Sequence, residues 1–375
     1  MRLTDLESPA LLLDRPRLDR NIARMRAQLS RLGGVTLRPH LKTAKSIDVA
    51  RQVLPHGGPI TVSTLLEAER FGEAGFSDIL YAVGIAPDKL DRVISLRRRG
   101  IDLSIVVDNV EAAKAVAAAA RVAGERIPVL IEIDSDGHRA GVRPDQPELL
   151  VAIARALSDG AEVRGVMTHA GGSYGARTPA ELARVAAQER ASAVACAEIL
   201  RGAGFAAPVV SIGSTPTALS ATDLDGVAEV RAGVYLFFDL VMHGIGVAAI
   251  DEIALSVLTT VIGHQRDKGW ILVDAGWMAM SRDRGTANQA VDQGYGLACD
   301  VAGNPIADLV MTSANQEHGI LAVRDGSSAS LPDLPYGTRL RILPNHACAT
   351  AAQFGEYQVV EGDEAVARWP RFNGW

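Results

Sequence analysis

The sequence predicts an α/β fold, a (β/α)8 TIM barrel followed by an all-β domain, and three observations carry that expectation. Short apolar runs alternate with helix-period stretches eight times between about residues 35 and 245, which suits the ~250 residues of such barrels. Strand after strand ends in ionisable or hydroxyl side chains. Beyond about residue 250, β-type runs lie between Gly, Asp, Asn and Pro, with no long helical pattern.

In order, the barrel strands are expected at 35–38, 60–63, 79–83, 103–107, 129–134, 163–168, 209–212 and 228–236. Crossover helices are expected at 66–74, 87–99, 110–123, 147–157 and 179–202. Periodicity does not show closure, so a doubly wound open sheet stays as the alternative. The strand ends favour the barrel: Arg38/His40/Lys42, Ser63/Thr64, Asp108/Asn109, Asp134 to Arg139, His169, Gly213 to Thr215 and Arg231 would share one face, the catalytic face of barrels. Polar residues also gather wherever strands leave a core, so no single one of them is decisive. Strands at 254–264, 270–274, 308–312, 339–343 and 358–360 would build the second domain, and the apolar run Ala10–Asp14 is a candidate to pair with it. The domain limits expected are 14–248 for the barrel and 249–375, with 1–13, for the β-rich part.

Composition narrows the function classes. With 48% hydrophobic and 22% charged residues, the chain has the make-up of a folded enzyme rather than a disordered segment. A net charge of −6 with scattered basic residues speaks against nucleic acid as a partner. No apolar stretch reaches the ~20 residues of a membrane span, and the start lacks a signal-peptide core, so a cytoplasmic protein is expected. Three widely spaced cysteines, Cys196, Cys299 and Cys348, fit a reducing compartment better than a disulfide framework.

Several groups could carry chemistry. Lys42 lies just past the first barrel strand, where desolvation and neighbouring cations, Arg38 and His40, would make it nucleophilic toward an aldehyde; Lys45 competes for the role. Gly213-Ser-Thr-Pro-Thr217 follows the seventh strand, where barrels often bind phosphate on backbone N–H groups and hydroxyls, although the same residues also make a plain turn. Arg139, in Glu132-Ile-Asp-Ser-Asp-Gly-His-Arg139, could hydrogen-bond a phenolate oxygen. His346-Ala-Cys348, read as an extended segment, would point imidazole and thiolate the same way and hold one Zn²⁺ with open positions; a buried cysteine beside a satisfied histidine is the plainer alternative.

Taken together, Arg38-Pro-His-Leu-Lys-Thr43, Glu132 to Gly141, His169-Ala-Gly171, Gly213 to Thr217, Arg231-Ala-Gly-Val-Tyr235 and Pro344-Asn-His-Ala-Cys348 resemble the fold-type III pyridoxal-phosphate enzymes. The subgroup is that of the D-serine dehydratases, D-threonine aldolases and 3-hydroxyaspartate dehydratases. The likeness runs over almost the whole chain. It implies an alanine racemase-like barrel with a C-terminal β domain, assembled as a homodimer. It places a Schiff base of pyridoxal 5'-phosphate on Lys42 rather than Lys45, and the phosphate on Gly213, Ser214 and Thr215. His40, Arg139, His169 and Tyr174 complete the cofactor set, with Arg231 and Tyr235 as candidates to face the pyridine nitrogen. His346 and Cys348 match the divalent-metal pair, whether for Zn, Mn, Co, Ni or Mg. The aldolases tend to carry His-x-Asp there, so Cys348 favours a dehydratase.

The activity so implied is elimination of the β-hydroxyl of a small D-amino acid, D-threo-3-hydroxyaspartate first and D-serine second. Arg282, Arg284 or His318 would meet a β-carboxylate. An aldolase releasing glycine is the nearest rival. A non-catalytic pyridoxal-phosphate carrier would lack both the β domain and the His-x-Cys pair.

Overall fold

The computed structural model describes residues 1–375, which form two compact units: Arg24–Gly233 with Gly374–Trp375, and Met1–Ala23 with Val234–Asn373. The first strand, β1 (Ala10–Asp14), belongs to the latter. The former holds eight parallel strands: β2 (Thr36–Pro39), β3 (Ile60–Val62), β4 (Asp78–Gly84), β5 (Asp102–Val107), β6 (Pro128–Ile133), β7 (Glu162–Thr168), β8 (Val209–Ile212) and β9 (Glu229–Ala232). Every residue of β6 is buried, as expected where helices cover a parallel sheet. Leu80, Val106, Leu130 and Met167, from four successive strands, form one buried apolar cluster.

The sheet order runs β2-β9-β8-β7-β6-β5-β4-β3, and a parallel bridge between His40 and Thr61 joins its two ends. The Leu41 N–H donates to Thr61 O at 2.9 Å across that seam. Closure excludes the doubly wound sheet, and it happens two residues before Lys42.

The crossover helices begin where side-chain oxygens cap them. Asn109 caps Val110–Ala123, which ends on Gly124 in the left-handed conformation, and Thr178 with Glu181 forms a capping box at the start of Pro179–Gly202. Two expected elements differ. The helix expected from Pro87 opens as a 3-10 turn, Pro87–Lys89, before Leu90–Arg98. The last barrel strand stops at Ala232, and Val234–Leu236 is a 3-10 turn; between them Gly233 lies so close to His40 that an added Cβ would meet its carbonyl oxygen at 2.6 Å.

In the other unit follow β10 (Leu255–Gln265), β11 (Trp270–Val273), β12 (Leu297–Cys299), β13 (Pro305–Ala314), β14 (Gly319–Val323), β15 (Arg339–Leu343), β16 (Glu356–Glu361) and β17 (Glu364–Pro370). Their order is β11-β14-β13-β12-β15-β10-β1-β16-β17. A bulge between Val261 and Gly263 lets β10 pair with β15 through one half and with β11 through the other, which curls six strands into a closed ring. β1 lies parallel to β16 and antiparallel to β10, and Leu12, Leu258 and Val360 bury one another there with Leu3 and Leu6. No helix is long and apolar enough to cross a membrane.

Candidate active site

At the barrel seam the two lysines have different surroundings. Lys45 reaches the carboxylate of Glu67 at 3.3 Å, and Glu67 is only 1% exposed, tied further to the Ser63 N–H and the Thr64 hydroxyl. Lys45 is thereby spent on a buried countercharge. Lys42 is exposed in the turn after β2 and makes no ion pair. Its charge acts on both His40 and His169.

Neither proposed cation assists Lys42. Arg38 points into the barrel floor, where it binds Asp78 at 2.8 Å, Glu229 at 2.6 Å and the Ile60 carbonyl at 3.2 Å. Two residues back along a strand is one side-chain layer deeper, about 7 Å from the rim. His40 is held neutral: burial first, then the charges of Lys42 and Arg231, push its pKa well below the imidazole range. The cation that is present is Arg231, 3% exposed on β9, donating to Ser211 Oγ at 2.6 Å and to Thr168 O at 2.5 Å. Ser211 in turn donates to Glu229 at 2.6 Å, so Arg231 and Arg38 share one buried carboxylate system.

His169 follows β7, and its Nδ1 lies 3.1 Å from Gly213 O. A carbonyl can only accept, so Nδ1 carries the proton and the Nε2 lone pair is left for a ligand. Burial, followed by the charge of Lys42, lowers its pKa to about 3. The Gly213 loop is built for close approach: φ is +129°, and an added Cβ would sit 2.3 Å from Arg231 O, so only glycine fits. Two of the loop's backbone N–H groups are already taken. The Gly213 N–H donates to Glu189 at 3.2 Å and the Ser214 N–H to Thr217 Oγ1 at 3.0 Å. The loop is also rich in hydroxyls, with Ser214 Oγ 3.1 Å from Ser173 Oγ and 3.0 Å from Thr217 Oγ1, and Thr215 buried beside them.

Glu189 was not anticipated. It is 1% exposed, and one of its oxygens accepts from both Ala170 N–H at 2.8 Å and Gly213 N–H at 3.2 Å. The signal was present in the sequence: it sits on the buried stripe Leu182, Ala186, Glu189, Ala193, Cys196 of its helix, an acid where small apolar residues are the rule. Arg139 is exposed and 3.4 Å from Glu132, and Tyr174 stands with its ring 6.2 Å from that of His169. Tyr235 lies fully buried in the turn after β9, in the other unit.

That other unit contains His346 and Cys348. The segment is not extended throughout: His346 is an N-cap residue in β conformation and Cys348 lies in the short helix Ala347–Ala351, because Asp239 accepts the Ala347 N–H at 2.9 Å and turns the chain there. The two side chains nevertheless hydrogen-bond each other. His346 Nδ1 is 2.6 Å from Asp283 Oδ2, so that bond does not use Nε2. Burial opposes a charge on His346, but the bonds to Asp283 and Cys348 outweigh it and raise its pKa. No set of three His, Cys, Asp or Glu is arranged to share an ion. The donors this pair could offer a metal are one imidazole nitrogen and one sulfur.

Of the carboxylate-binding candidates, Arg284 is committed to Asp292 at 2.7 Å and stacks 5.0 Å over Tyr295. Arg282 is exposed, its guanidinium 4.4 Å over the Trp277 ring and next in sequence to Asp283. His318 is exposed in the turn between β13 and β14.

The barrel set fits an aldehyde-bearing, phosphorylated aromatic ring. It offers one unpaired amine, a glycine-tight hydroxyl loop, two neutral histidines, and a buried His40 Nδ1 with no hydrogen-bond partner of its own.

Residues 13–241 match the family model of the alanine racemase N-terminal domain, and residues 254–360 match that of a serine dehydratase domain. The D-threo-3-hydroxyaspartate dehydratase of Delftia sp. (strain HT23) is 57% identical, over 100% of this chain and 99% of its own. Its solved structure superposes with a TM-score of 0.96, covering 100% of both chains. A cysteine-to-alanine variant of D-threo-3-hydroxyaspartate dehydratase, described as its metal-free form, superposes at 0.97 with 57% identity, again over 100% of both. The D-serine dehydratase of Dictyostelium discoideum is 29% identical over 97% of this chain and 96% of its own.

Proposed function

The chain belongs to the alanine racemase-like enzymes that carry a serine dehydratase domain, and on that premise we propose that it removes water from D-threo-3-hydroxyaspartate to yield oxaloacetate and ammonia, with D-serine as a second substrate. The reading is supported most by the contact of His346 with Cys348, a soft nitrogen and sulfur pair, in a chain 57% identical to such a dehydratase.

When bound, pyridoxal phosphate supplies an electron sink at Cα, and a divalent ion supplies a Lewis acid for the departing hydroxyl. Lys42 would hold the cofactor aldehyde through Nζ, and its amine would also be the base for the substrate's α-proton. It suits both roles because no carboxylate competes for it, whereas Lys45 is neutralised by Glu67.

His169, neutral and fixed by Gly213 O, would present Nε2 to the ring, and His40 would do so through its unpartnered Nδ1. The Ser214 and Thr215 hydroxyls would bind phosphate and Arg139 the phenolate oxygen. Arg231 and Tyr235 remain the two candidates for the ring nitrogen. His346 and Cys348 would hold the ion, with Asp283 fixing the imidazole tautomer. Arg282 is better placed than Arg284 to receive a β-carboxylate, since it lacks an acidic partner. Loss of water across Cα–Cβ leaves an enamine, which tautomerises and hydrolyses to the keto acid and ammonia.

Incubation with D-threo-3-hydroxyaspartate, followed by assays for oxaloacetate and for glycine, tests the reading. Oxaloacetate and ammonia in equal amounts are expected. Glycine with glyoxylate in their place would make the chain an aldolase.

A further inference from the structure

The loops after β7 and β8 come from different crossover units, yet one buried atom of a third element binds the backbone of both. One carboxyl oxygen of Glu189 accepts from Ala170 N–H at 2.8 Å and from Gly213 N–H at 3.2 Å. Ala170 follows His169 directly, and Gly213 precedes the hydroxyls of Ser214 and Thr215. Two lesser ties run alongside, from His169 Nδ1 to Gly213 O at 3.1 Å and from Ser173 Oγ to Ser214 Oγ at 3.1 Å.

We infer that Glu189 is the positioning residue of the cofactor cradle: its carboxyl cross-links the two loops, so that the phosphate-binding hydroxyls and the His169 ring are set as one piece. The inference rests on the proposed reading of the Gly213 loop as the phosphate site. Three physical facts support it. Gly213 sits at φ +129° with Arg231 O lying where a Cβ would be, so no side chain can replace it and the loop has little room to shift on that side. Buried N–H groups without an acceptor are costly, so removing the carboxyl would drive both loops to other arrangements rather than leave them in place. Burial also drives the Glu189 carboxyl toward its neutral form, against the pull of the Ala170 N–H and of Arg231.

Glutamine in place of Glu189 keeps a carbonyl oxygen for both N–H groups; alanine removes it. The test titrates pyridoxal phosphate into parent, Glu189→Gln and Glu189→Ala proteins by absorbance and follows amide exchange at Ala170 and Gly213. Glu189→Gln is expected to bind within about 3-fold of the parent. Glu189→Ala is expected to bind about 10- to 100-fold more weakly, with faster exchange at both amides. At saturating cofactor, Glu189→Ala should lower kcat more than it raises KM, which a role confined to stability would not produce.

If Glu189→Ala does not fold, Glu189→Asp replaces it, since the shorter arm cannot span both loops; a parent-like cofactor constant in that variant, or in Glu189→Ala, overturns the inference. A parent protein that takes up no pyridoxal phosphate would remove the cofactor reading and this inference with it. Parental uptake with no effect of either variant removes the inference alone.

Discussion

Replacing Asp283 by alanine should loosen the metal. The carboxylate lies 2.6 Å from His346 Nδ1, a short charge-assisted bond of the kind worth about 1.5–3 kcal/mol, or roughly 10- to 150-fold in an equilibrium constant. The partners are 36% and 42% exposed, so water screens part of that interaction and the lower end applies. Loss of a carboxylate behind a ligating histidine ordinarily costs about 10- to 100-fold in metal affinity, and the two arguments overlap near 10- to 30-fold. Asp283→Asn, which keeps an acceptor for Nδ1–H but not the charge, should fall between. The assay is competition between the protein and a chelator for Zn²⁺, with the visible spectrum of the Co²⁺ form reporting the ligand set. Unchanged Zn²⁺ affinity and an unchanged Co²⁺ spectrum in Asp283→Ala would refute the reasoning.

Three further outcomes follow from the same geometry. Lys42→Ala should abolish turnover and the absorbance of bound cofactor while leaving thermal stability near the parent's. Lys45→Met should do the reverse, costing up to about 3 kcal/mol because the buried Glu67 loses its countercharge; a melting curve with an activity assay separates the two. Gly213→Ala places a methyl 2.3 Å from Arg231 O at a φ reserved for glycine, so the loop must retreat by about 1 Å, and cofactor binding should weaken at least tenfold in a titration of the refolded protein. Both barrel histidines have depressed pKa values, His169 to about 3. Their contribution to stability is complete above about 6.5 and is lost as pH falls toward the folded values, because the unfolded chain takes up protons that the barrel refuses. Unfolding free energies from urea titrations of the cofactor-free protein should therefore fall below pH 6.5, by about 1.4 kcal/mol per pH unit for each histidine, and His169→Gln should flatten that slope. An unaltered slope in the variant would count against the burial argument.

Much of this was legible in the amino-acid order because it depends on period and composition. Alternating apolar runs and helix-period stretches specify a covered parallel sheet, and the motif Arg38-Pro-His-Leu-Lys42 carried the family likeness. The turn from barrel to β-rich sequence near residue 250 was visible too. Side-chain direction was not. Arg38 and His40 share a strand face, and only the stacking of barrel layers sends Arg38 to Asp78 and Glu229 while leaving His40 near Lys42. The family likeness chose Lys42 over Lys45, but the physical reason lies in Glu67, 22 residues beyond Lys45, which arrives from the next crossover to engage Lys45. His346 and Cys348 keep company although their segment turns helical, because Asp239 and Asp283 hold its start from distant parts of the chain.

By itself, then, the sequence determined the layers, the strand count and which residue types stand at the strand ends, since these follow from local periodicity and turn chemistry. Closure of the barrel at His40 and Thr61, the neutrality of two histidines and the tether at Glu189 were decided by tertiary structure alone. Each depends on burial and on partners remote in the chain, and no local pattern encodes the distance between them.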